Sequence, residues 1–91
     1  MELDAIYEPV NVIVCNIRRD DDEFVLGISF EYRDSQHMVV MTGVRDIDCC
    51  SELFEAQRLF IKKNDEQLEY GRYTLGFSGE SYSEIICDDF T

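Results

Sequence analysis

The chain has 91 residues, enough for one hydrophobic core and too few for a second, so it reads as a single domain over residues 1–91. Twenty Asp plus Glu against eight Lys plus Arg leave a net charge of −12, which opposes nucleic-acid backbones and anionic membranes. The same charge suits a basic protein, a cation or plain solubility, and a hydrophobic content of 45% with 12% aromatics excludes an acidic disordered tail.

The start, Met1-Glu2-Leu3-Asp4-Ala5-Ile6, has neither the basic region nor the apolar run of ~7–15 residues that an export signal needs. No apolar run approaches the ~18 residues of a membrane-spanning helix. A cytoplasmic location is therefore expected. After the only proline, Pro9, the run Val10–Ile17 is β-branched and apolar at both parities, which predicts a strand covered on both faces. Arg18-Arg19-Asp20-Asp21-Asp22-Glu23 is all charge and predicts a solvated hairpin loop.

Phe24–Tyr32 gives the clearest pattern. Phe24, Leu26, Ile28, Phe30 and Tyr32 share one face, while Gly27, Ser29 and Glu31 take the other, the period of a half-buried strand. After the polar turn Arg33–Gln36, a third strand is predicted at His37–Val44, completing an antiparallel meander. The period then changes. Cys50, Leu53, Phe54, Gln57 and Ile61 follow helical spacing, so a helix is predicted over Asp48–Gln57, capped by Asp46 or Asp48. Arg58–Lys63 fits either a continuation of that helix or a strand turning at Asn64-Asp65. Tyr70–Phe77 alternates again with Tyr73, Leu75 and Phe77 inward, Ser78-Gly79-Glu80 reads as a turn, and Ser81–Asp88 gives a last strand.

The expected architecture is α+β: a mostly antiparallel sheet of about five strands with one helix packed on one face. Its expected core is Val12, Val14, Leu26, Ile28, Phe30, Val40, Leu53, Phe60, Leu75 and Ile86. Cys15, Cys49, Cys50 and Cys87 are expected as reduced thiols. Cys49 and Cys50 are adjacent, and Cys15 and Cys87 sit in apolar runs where a thiol acts as a small hydrophobe.

Catalytic chemistry finds little footing. His37 has only Ser35 near it in sequence and reads as an ordinary strand-start histidine. Cys49-Cys50 lacks the spacer of a zinc pair. Asp20–Glu23 lacks the glycine and distal Glu of a calcium loop. Gly71, Gly76 and Gly79 do not cluster before a helix as a phosphate loop requires. No enzyme activity, metal or cofactor is expected, and Tyr7, Tyr70, Tyr73 and Tyr82 read as packing residues with wet hydroxyls rather than base-stacking platforms.

Three uses of the acidity remain: solubility for a generic interaction domain, nucleic-acid mimicry by a phage-encoded anti-CRISPR or anti-restriction inhibitor, and inhibition of a basic protein. A chain of this mass exposes on the order of 5,500 Å². That gives about one net charge per 460 Å², roughly fourfold more dilute than the ~110 Å² per charge of a DNA duplex. An inhibitor of a basic protein needs less: a few carboxylates to speed association and one or two aromatic anchors. Tyr32, Tyr70, Tyr73 and Tyr82 beside Glu31, Glu69, Glu80 and Glu84 fit that recipe.

The succession Glu23-Phe24-Val25-Leu26-Gly27-Ile28, Met38-Val39-Val40-Met41, Phe60-Ile61-Lys62 and Tyr70-Gly71, closed by an acidic strand, resembles the small immunity proteins that accompany bacterial polymorphic toxins. The resemblance implies an acidic, β-rich cytosolic protein that binds and blocks a cognate toxin. The candidate partner-binding residues are Asp20, Asp21, Asp22, Glu23, Glu69, Tyr70, Glu80 and Glu84, charge clusters at strand ends where a face can be presented without disturbing the core.

Overall fold

The computed structural model describes residues 1–65 and 71–91. Among the described residues there are eight strands: β1 (Ile6–Tyr7), β2 (Asn11–Asp20), β3 (Glu23–Tyr32), β4 (Ser35–Val44), β5 (Arg58–Lys63), β6 (Tyr73–Ser78), β7 (Tyr82–Cys87) and β8 (Asp89–Phe90). They form two antiparallel sheets of four, ordered β2-β3-β4-β8 and β1-β5-β6-β7. Leu26, Ile28, Phe30, Val39, Met41 and Val44 from the first sheet share one core with Leu59, Ile61, Leu75, Phe77, Ile85 and Cys87 from the second. This is the two-layer solution for sheets that are each apolar on one face. Tyr7 ties the layers together at one end, its ring 5.6 Å from Phe30 and 5.1 Å from Tyr32.

The α+β expectation is overturned: the protein is nearly all β, with no packed α-helix among the described residues. Where a helix was expected over Asp48–Gln57 there is a single short 3₁₀ helix, Cys50–Glu55. The buried residues explain the difference. Cys50, Leu53 and Ala56 recur every third position, which is the turn of a 3₁₀ helix, whereas Phe54 and Gln57, which a wider α-helical face would bury, are exposed. Neither aspartate caps it. The residue at the start is Cys49, without a side-chain cap, and the Asp46 carboxylate instead accepts the Asp48 backbone N–H at 2.9 Å. Ala56 then turns extended, and Leu59 and Ile61 alternate into the core, so Arg58–Lys63 is a strand.

The meander is present, but its turns are tighter than expected. β2 runs on through Arg18, Arg19 and Asp20, and only Asp21-Asp22 turn. Within this extension Arg19 has a cross-strand partner, lying opposite Phe24 with its guanidinium 5.5 Å from the ring centre. Asp21 takes a left-handed φ of 55°, a conformation Asp tolerates. At the next turn Arg33 and Asp34 are both left-handed, as a two-residue hairpin of matching twist requires.

Several expected core positions are corrected. β2 is an edge strand, not a covered one, and Val14 is 39% exposed. Val40, Phe60 and Ile86 are only partly buried, while their neighbours Val39, Met41, Leu59, Ile61, Ile85 and Cys87 fill the core. At Val40, Phe60 and Ile86 the error is a slip of one residue, which flips a strand's faces, whereas at Val14 the register shifts after the buried Val12.

Candidate partner-binding face

The fold gathers acidic side chains at one end of the sandwich. The β2–β3 hairpin brings Asp20, Asp21, Asp22 and Glu23 there, because Asp20 pairs with Glu23 at the tip. β4 finishes beside the start of β3, with Val44 opposite Phe24, so Arg45 and Asp46 emerge at the same end. β7 also finishes there, delivering Asp88 and Asp89 where the chain passes from one sheet to the other. Arg72, just before β6, lies at this end too, since it donates its backbone N–H to the Cys87 carbonyl at 3.0 Å.

Arg45 links these segments. Its Nη2 lies 2.9 Å from Glu23 Oε2 and 2.9 Å from Asp88 Oδ2, and its Nη1 reaches Asp88 Oδ1 at 3.4 Å. A planar guanidinium offers that fork and an ammonium does not. All three side chains are solvated, so the pairs fix geometry more than they stabilise the fold. Asp88 is held from behind as well: its backbone N–H donates to the Thr42 carbonyl at 2.9 Å.

Beside Arg45 lies a cleft of about 190 Å³ lined by Arg45, Asp46, Glu84 and Ile86. Glu84 enters it from β7, accepting a hydrogen bond from the Tyr82 hydroxyl at 2.7 Å, with Lys62 Nζ 3.7 Å away. Burial, the hydrogen bond to Glu84 and the charge of that carboxylate together push the Tyr82 hydroxyl up to about 12. Tyr82 is 53% exposed and its ring stacks 6.2 Å from Phe60. An aromatic side chain with its hydroxyl tied to a carboxylate is a rigid, amphipathic contact.

The candidate residues thus divide into three groups. Asp20, Asp21, Asp22 and Glu23 share one end with Arg45 and Asp88, and Glu84 reaches that group through the cleft. Glu80 does not: it sits in the β6–β7 turn at the far end of β7, next to Ser78, whose carbonyl accepts the Gln57 N–H at 2.9 Å. Glu69 and Tyr70 lie outside the described residues. Arg45, Asp46, Asp88 and Tyr82 were missed as site residues. The signal for Arg45 was slight: it directly follows the acid-free strand Ser35–Val44 and precedes Asp46.

His37 is packed among rings, stacked 5.3 Å from Phe30 and edge-on to Tyr7 and Tyr32. Among the described residues no group of three or more His, Cys, Asp or Glu is arranged to hold a metal ion, and no helix is long and apolar enough to cross a membrane. Burial pushes the Cys50 thiol up to about 12 and the Cys87 thiol up to about 11, with nearby acidic side chains adding to both. The chain matches no protein family, no characterised protein and no solved structure.

Proposed function

We propose that this chain is a cytoplasmic binding protein that blocks one basic partner protein stoichiometrically through its acidic end. The observation that supports it is the Arg45 bridge to Glu23 and Asp88, which ties carboxylate-bearing segments of both sheets into one surface. Held in place beforehand, such a surface loses little conformational freedom on binding, and its field steers a cationic partner toward it. Tyr82 and the apolar wall of Ile86 supply the contact area that carboxylates alone lack. The immunity-protein resemblance makes a secreted bacterial toxin the class of partner, and inhibition rather than catalysis the activity.

Nucleic-acid mimicry has less support. Twelve net charges over 5936 Å² give about one per 500 Å², and Arg18, Arg19 and Arg45 interrupt the acidic end itself. A mimic would need the roughly one charge per ~110 Å² of a duplex.

The test is purification of the tagged chain from its own host, followed by titration of the recovered protein. A basic protein that forms an equimolar complex and loses its activity at one equivalent supports the reading. Recovery of acidic proteins only, or binding that leaves the partner fully active, overturns it.

A further inference from the structure

The long strand β2 lies at an edge of its sheet among the described residues. We infer that two molecules pair antiparallel along β2, with the two-fold axis at Asn16, joining their sheets into one of eight strands.

β2 has β3 on one side and, among the described residues, no strand on the other, while the 3₁₀ helix Cys50–Glu55 packs against it. A ten-residue edge is a ready template for another strand, and proteins that must avoid this usually blunt it with charge, proline or a cover. Here Val14 and Asn16 through Asp20 are exposed, and Ile13, Val14 and Ile17 account for three of the large exposed hydrophobic side chains.

Charge decides what sits on it. Copies of a −12 chain repel one another wherever carboxylates face each other. Residues 9–19, 24–30 and 35–45 contain no Asp or Glu, and these stretches make up most of β2, β3 and β4. This sheet is therefore where two copies approach at least cost. A basic segment from another protein meets Arg18 and Arg19 at this edge instead of carboxylates.

The strand is also complementary to itself. Val14, Asn16 and Arg18 share the outer face of the sheet, opposite Ser29, Gly27 and Val25, while Cys15 and Ile17 share the face of Ile28 and Leu26. Turned antiparallel about Asn16, Cys15 of each copy stands opposite Ile17 of the other, and Val14 opposite the aliphatic stem of Arg18. Asn16 stands opposite Asn16, two amides able to bond each other. No like charges are placed directly across. The two Asp20 residues end eight positions apart along the seam, about 27 Å at ~3.4 Å per residue, which is beyond the Debye length of ~8 Å at physiological salt. The acidic ends then point away from each other, and the dimer presents two binding surfaces.

Sedimentation equilibrium of the full chain over a concentration series, at ~0.15 M salt, tests this directly. The expected mass is twice 10.7 kDa. Asn16→Asp and Asn16→Lys each set like charges across the axis and should each return to the monomer mass while the monomer stays folded by circular dichroism, because Asn16 is exposed in the single chain. Mixing the two variants should restore the dimer, as opposite charges then meet at the axis. A wild type that stays monomeric, a dimer indifferent to both substitutions, or a mixture that fails to reassociate would each overturn the proposal.

Discussion

Gly43 and Asp88 pack so closely that a Cβ on Gly43 would stand 2.4 Å from Asp88 Oδ2, and Gly43 has a left-handed φ of 68°. The carboxylate that Arg45 grips therefore occupies space that only a glycine leaves open. The end of β4, the β7–β8 junction and the acidic hairpin are consequently one rigid unit, and a change at Gly43 reaches the candidate face without touching an acidic residue.

Gly43→Ala should lower stability by at least about 1–3 kcal/mol, the range for a non-glycine residue forced into a rare backbone region. Gly27→Ala is the control. The nearest atom to its added Cβ is 4.0 Å away, and its φ is not left-handed. It should shift the denaturation midpoint by no more than about 0.5 kcal/mol equivalent. Urea melts of the two variants make the comparison.

Leu26 is fully buried between the sheets, whereas Val14 on the edge is 39% exposed. Leu26→Ala should cost about 2–5 kcal/mol, and Val14→Ala within about 0.5 kcal/mol. Equal losses at the two positions, measured by chemical denaturation at a concentration where the chain sediments as a monomer, would place Val14 in the core of the single chain.

What the sequence made legible follows from which residues carry a one-sided pattern. β3 is readable because Leu26, Ile28 and Phe30 alternate with Gly27, Ser29 and Glu31, so the buried face is unambiguous. Runs apolar at both parities are not readable. Met38-Val39-Val40-Met41 and Ile85-Ile86-Cys87 supply core residues in either register, and only pairing with Ile28 or Leu75 selects Val39 and Ile85. The 3₁₀ helix was misread because its period of three and the α-helical 3.6 share positions 50 and 53. The acidic hairpin was legible as a cluster, but its partner Asp88 was not, since their meeting depends on Arg45 and on how the sheets join.

Stability should fall in alkali through the buried thiols. Unfolded, the Cys50 thiol ionises near 9.0; folded, burial pushes it up to about 12. Between those values the unfolded chain binds fewer protons than the native one, so stability drops as pH rises. The contribution is whole below pH 9 and lost upward from there. Cys87, raised to about 11, acts in the same direction. Cys50→Ala should therefore flatten the pH dependence of the urea midpoint above pH 9 and leave its slope below pH 8 unchanged. An equally steep alkaline slope in the variant would assign the effect to other groups.

The most direct test of the acidic-end account is the association rate with the recovered partner, measured against salt and against charge reversal at the hairpin tip. The informative variant carries Asp20→Lys and Asp22→Lys with Asp21→Asn, because position 21 is left-handed and Asn tolerates that conformation. The account predicts an on-rate that falls about tenfold or more between low and high salt. It predicts a similar loss in the variant at low salt, with the melting temperature nearly unchanged. An on-rate indifferent both to salt and to the reversal would contradict it, leaving the net charge of −12 no role in partner recognition.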